Sequence, residues 1–246
     1  MIEIVNGIII ISLIIIIYKY FEKQSYDVVM VKSQTNGKNY LVRNLEDKQE
    51  AANLLGTIAN KLEKLVNIVK TTGYEKIYEK YIKNDVDIET GGGSGDGSGA
   101  NDDNNINEGQ TGGNSSKQSL ERDIKMKLKD DIARLVKNFN SDAFSETTPD
   151  NKYTSYSVNK GEKIVFCLRQ KKEGEKLVKE NIMLFVSIHE CAHLMTKSVG
   201  HEPDFWSNMR LLLKIAIDNG IYKNIDFNKK PEEYCGVSIS DSVVNK

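Results

Sequence analysis

Residues 181–206 read NIMLFVSIHECAHLMTKSVGHEPDFW. The nearly continuous apolar run from Ile182 to Ile188 leads straight into His-Glu-Cys-Ala-His, and such a run suits a helix buried on most sides. At 3.6 residues per turn, His189 and His193 lie one turn apart on one face, so both imidazoles can reach a single ion. Glu190 sits about 100° round the helix, beside such an ion and not on it, where a base acting on a metal-activated water belongs. Cys191 points away and is not a ligand candidate. Catalytic zinc usually takes three protein ligands and leaves a fourth position for water. His201 can be the third. Lys197-Ser198-Val199-Gly200 reads as a helix exit, with Gly200 free to take positive φ and turn the chain back. Pro203 then suits the first turn of a following helix, with Asp204 favourable at its N-terminus. The chain has 3 histidines, and all of them fall in this segment.

The flanking sequence supplies a scaffold. Tyr153 to Val158 and Lys163 to Arg169, joined through Asn159-Lys160-Gly161, predict a hairpin. Ahead of it, Leu120, Ile124, Leu128, Ile132, Leu135 and Phe139 predict an amphipathic helix beginning near Ser119. Residues 84–117 are Gly-rich with an acidic charge set and predict a disordered linker. Earlier still, Tyr26 to Val31 and Asn39 to Arg43 flank Asn36-Gly37 as a second hairpin. From Asp47, apolar residues Ala51, Leu55, Ile58, Leu62, Leu65 and Val69 mark a long helix closed by Gly73. Tyr78 to Ile82 add a further helical turn or two.

The N-terminus, residues 1–22, contains an almost purely apolar stretch from Ile8 to Tyr18, followed by Lys19 and Lys23. The expectation is an uncleaved transmembrane helix, shorter than usual, with its basic flank and hence the catalytic domain in the cytosol. A domain scheme follows: the anchor at 1–22, the first part of the catalytic domain at 25–83, the linker at 84–117 and the core at 118–246. Cys167, Cys191 and Cys235 show no CxxC spacing, and the expectation is three reduced thiols, buried in a reducing compartment. A mean hydropathy of -0.45 excludes a multi-spanning membrane protein. A formal charge of -1 gives no global field for nucleic acid.

The segment HECAHLMTKSVGHEPDFW resembles the active-site motif of the WLM metallopeptidases, relatives of the SprT-like proteases, and especially versions predicted in large DNA viruses. YLVRNLEDKQEAANLL, YTSYSVNKGEKIVFCLR and GIYKNIDFNKKPEEYCGVSI are similar to that viral branch as well. The resemblance implies one α+β, zincin-like domain in which the HExxH helix packs on a small antiparallel sheet. It also implies His189, His193 and His201 as zinc ligands and Glu190 as catalytic acid/base. Many cellular members place the third histidine five residues past the HExxH unit, whereas seven residues separate His193 from His201 here, so the turn must be larger. Cellular relatives act on protein crosslinked to DNA, and no strong DNA-binding motif accompanies that likeness here.

The expected activity is therefore hydrolysis of protein substrates by a zinc peptidase with Glu190 as general base. Tyr156, Arg169 and Tyr234 are candidates for oxyanion support, and the sequence does not choose among them. Two rivals remain: a membrane-tethered structural or assembly protein that keeps zinc only for folding, and a nucleic-acid adaptor using the basic residues of Lys117 to Lys137. No partner protein is identifiable.

Overall fold

The computed structural model describes residues 9–17, 27–85, 112–171 and 174–244. Strands β1 (Val28–Lys32) and β2 (Asn39–Arg43) come first, then helices α1 (Lys48–Thr72) and α2 (Tyr74–Tyr81). Helix α3 (Gly112–Asn138) leads through a short 3-10 turn, Ser141–Ala143, into β3 (Phe144–Glu146), β4 (Ser155–Val158) and β5 (Lys163–Phe166). Helices α4 (Glu180–Met195) and α5 (Pro203–Asp218) follow, and strands β6 (Glu232–Tyr234) and β7 (Val237–Ile239) form a separate hairpin.

The class is α+β, but the main sheet is mixed and not antiparallel. Its order is β1-β2-β3-β5-β4. Both expected hairpins form, as β1 with β2 and β4 with β5. Between them lies β3, parallel to β2 on one side and to β5 on the other. Parallel neighbours need a crossover, and here helices α1 and α3 lie between β2 and β3 in the chain. The three-residue strand Phe-Ser-Glu has no apolar alternation to announce it, which is why the sequence predicted an antiparallel sheet without it.

Helix α4 runs through the core against α1, α3, α5 and β4. Ile182, Met183, Leu184, Phe185, Ile188, Cys191, Ala192, Leu194 and Met195 are all buried, in keeping with its nearly continuous apolar run. Helix α3 starts at Gly112, ahead of the apolar periodicity, because that pattern marks where a helix meets the core and not where the backbone becomes helical. Leu120, expected on its buried face, is 42% exposed. Residues 86–111, the greater part of the expected linker, lie outside the described residues.

Two further expectations are corrected. Residues 9–17 are helical, but no helix among the described residues is long and apolar enough to cross a membrane. Nine residues at about 1.5 Å each reach about 14 Å, against a hydrocarbon core of about 30 Å. The single-pass transmembrane anchor, and the membrane localisation and cytosol-facing orientation built on it, are withdrawn; the rest of 1–22 lies outside the described residues. The second correction concerns sulfur: Cys167 and Cys235 form a disulfide, leaving only Cys191 as a buried free thiol. The two are 68 residues apart in sequence with Cα atoms 6.3 Å apart, a proximity made by the fold and invisible to local spacing.

Candidate metal centre

Helix α4 carries His189 and His193 on one face and ends at Thr196, whose N–H and hydroxyl both donate to the Ala192 carbonyl. The Thr196 hydroxyl also accepts from Asn208 Nδ2 of α5 at 2.9 Å. Gly200, with φ of 88°, makes the expected turn, and Pro203 opens α5. Between them, His201 comes back to the pair. Ser198 Oγ donates to Asp204 Oδ1 at 2.7 Å, and the same oxygen accepts the Phe205 N–H, so the loop is closed onto the first turn of α5.

The three Nε2 atoms converge. That of His189 lies 3.2 Å from His193 Nε2 and 3.0 Å from His201 Nε2, and the three ring centroids are mutually 4.9 Å apart. Tetrahedral zinc bound at about 2.0–2.1 Å would set neighbouring nitrogens about 3.3 Å apart, so this donor set fits such an ion. His189 and His193 are half-buried and His201 is exposed, which leaves one side of the cluster facing solvent.

Phe205, fully buried, touches all three rings, at centroid distances of 4.8, 4.3 and 4.7 Å. It is the floor of the cluster as well as a core residue. Trp206 is 36% exposed and stacks on the His201 ring at 5.6 Å. Only their position after His201 hinted at this.

Electrostatics favour ligation. Burial, then repulsion from the neighbouring imidazoles, lowers the pKa of His189 to about 3; burial and His201 lower that of His193 to about 4. Both rings are neutral near pH 7 and offer lone pairs to a cation. Glu190 is 4% exposed, and burial pushes its carboxyl up to about 8. Among the described residues nothing hydrogen-bonds to it.

The candidates for oxyanion support separate. Arg169 is engaged elsewhere, its guanidinium donating to Glu146 at 2.8 Å and to Asp47 at 2.5 Å. The Tyr156 hydroxyl accepts from Asn151 Nδ2. Tyr234 is buried, its hydroxyl is 2.5 Å from Ser155 Oγ, and it lies close enough to Glu190 for that charge to help raise its pKa, after burial itself. Of the three, Tyr234 is the one the fold places by Glu190.

With this geometry in hand, comparison with known proteins adds a viral context. The chain is similar to an uncharacterized protein of Acanthamoeba polyphaga mimivirus, 29% identical over 246 residues that cover 98% of this chain and 97% of the relative. It is also similar to uncharacterized proteins of Invertebrate iridescent virus 3 and Invertebrate iridescent virus 6. The first is 31% identical over 85 residues, 34% of this chain and 50% of the relative; the second is 33% identical over 69 residues, 28% and 38%. No family model and no solved structure matches the chain.

Proposed function

We propose that this chain is a zinc-dependent peptidase of the WLM type that hydrolyses peptide bonds in protein substrates. The observation that carries the proposal is the convergence of three imidazole nitrogens on one point, 3.0–3.2 Å from His189 Nε2 to the other two, beside a buried carboxyl with no hydrogen-bond partner among the described residues. His189, His193 and His201 would hold the ion. Zinc bound there would act as a Lewis acid, making water a nucleophile near neutral pH and polarising the scissile carbonyl.

Glu190 supplies the proton transfers. Its carboxylate takes a proton from the attacking water and its carboxylic acid returns that proton to the leaving amine. A proton affinity brought by burial into the neutral range suits a group that must do both. The Tyr234 side chain, bonded to Ser155, braces the wall near Glu190. Strand β4 is outermost in the sheet and packs against α4, so an extended peptide added to its open edge would run beside the helix that carries the ligands.

The test is hydrolysis of an unfolded protein by parent, Glu190→Gln and His201→Ala chains, with zinc content measured on each. Glu190→Gln should retain zinc and lose activity; His201→Ala should lose both. A Glu190→Gln chain as active as the parent removes Glu190 from the chemistry. Zinc uptake by the parent with no cleavage at all, together with unfolding on chelation, would favour a zinc-stabilised structural protein.

A further inference from the structure

An α-helix leaves its last carbonyls without helical partners, and at the end of α4 these are taken by side chains from elsewhere. Asn138 Nδ2 of α3 donates to the Leu194 carbonyl at 3.3 Å, and Arg134 Nε donates to that of Met195 at 3.0 Å. Each covers one carbonyl. Lys160 covers three: its Nζ donates to the carbonyls of His193 (3.3 Å), Thr196 (2.8 Å) and Ser198 (3.2 Å). An ammonium has three donors and no acceptor, so this set matches its capacity.

What these three carbonyls belong to gives the contact its meaning. His193 is a ligand on the helix, and Ser198 stands three residues before the ligand on the loop. One side chain from the β4–β5 turn thus pins both arms of the centre. The turn is shaped to deliver it. Asn159, Lys160 and Gly161 have φ of 48°, 55° and 109°, and a Cβ at Gly161 would lie 2.1 Å from the Asn138 carbonyl oxygen. The turn therefore lies directly on the end of α3, with Lys160 reaching the end of α4.

We propose that Lys160 is a positioning residue for the metal centre, fixing the 196–200 loop so that His201 meets the pair on α4. It touches neither ion nor substrate. Without it the His193, Thr196 and Ser198 carbonyls lose their donor, and beyond Thr196, which stays bonded to the Ala192 carbonyl, the loop keeps only its attachments to α5.

This inference rests on the metal reading above, and the experiment separates the two. The full chain and its Lys160→Met and Asn138→Ala variants are titrated with zinc against a competing chelator. Their cobalt-loaded visible spectra are recorded, and they are melted in EDTA. Lys160→Met should weaken zinc about 10- to 100-fold, the usual scale for losing an outer contact that orients a ligand, and should shift the cobalt bands. Asn138→Ala, which uncaps one carbonyl of the same helix, should lower the EDTA melting temperature while leaving affinity and spectrum as in the parent. Parent-like zinc binding and spectrum in Lys160→Met overturn the proposal, as does an equal loss in Asn138→Ala, which would make the contact mere helix-end stabilisation. A parent that takes up no zinc overturns the metal reading and this one with it. Should Lys160→Met fail to fold, Lys160→Gln is read the same way: reduced affinity with shifted bands upholds the proposal, and parent-like values sink it.

Discussion

Glu146 and Glu190 are both almost wholly buried carboxyls, at 5% and 4% exposure, yet their surroundings are opposite. Glu146, on β3, accepts from Arg169 Nε and from the Arg43 backbone N–H, each at 2.8 Å. Burial raises its pKa, and those two donors offset part of the rise. Glu190, on α4, has burial alone acting on it. An acid surrounded by donors is held in one state and serves the fold, whereas an acid without them can exchange its proton. The same residue type is thus structural in one place and, on the reading above, chemical in the other.

Exchanging each for glutamine sharpens that contrast most. Glu190→Gln should cut peptide hydrolysis by about 10²- to 10⁴-fold, the usual contribution of a positioned base, with little loss of fold. Glu146→Gln should leave zinc content unchanged and cost about 1.5–3 kcal/mol by denaturant unfolding, since the buried Arg169 then loses one of its two carboxylate partners and keeps Asp47. Equal stability losses in the two variants would erase the distinction.

The pH dependence of the metal-free chain comes next, at a few kcal/mol. The Glu190 carboxyl has its ordinary value of 4.5 when unfolded and is raised to about 8 when folded, so between these the folded state binds more protons. Its contribution is therefore full below about pH 4.5 and declines as pH rises to about 8. The His189 and His193 imidazoles, lowered to about 3 and 4, gain stability as pH rises to about 6.5 in parent and variant alike, so the Glu190 contribution is read as the difference between the two chains. Melted in EDTA, the parent should lose stability relative to Glu190→Gln steadily from about pH 4.5 to about 8. A difference between the two that does not change with pH would mean the carboxyl is solvated.

The disulfide joins the two sites. Cys167 Sγ lies 3.3 Å from the Arg169 carbonyl oxygen, and Cys235 follows Tyr234, the neighbour of Glu190. Replacing both cysteines by serine should cost about 2–4 kcal/mol, read by thermal melting without reductant. An unchanged melting temperature in the double variant would show the bridge to be dispensable.

What the sequence revealed was what neighbours in the chain determine. His189 and His193 are one helical turn apart, Gly200 marks the reversal, and Asn-Gly and Lys-Gly turns announce the two hairpins. What it hid is made by distant residues. Strand β3 exists because β2 and β5 flank it, the bridge spans 68 residues, and Lys160 meets the end of α4 only once the β4–β5 turn is seated on α3. The N-terminal expectation erred differently: apolar composition over 1–22 was taken as a span, and the helical stretch described there is too short.

The mixed sheet has a consequence for how the chain is made. Its middle strand leaves the ribosome long after β1, β2 and α1, so the nascent polypeptide carries an unpaired β2 edge and an uncovered apolar helix face until β3 arrives. Neither the portion before residue 86 nor the portion after residue 111 contains a complete sheet. Synthesis must pass Phe166, the last residue of β5, before the platform beneath the histidine cluster can close.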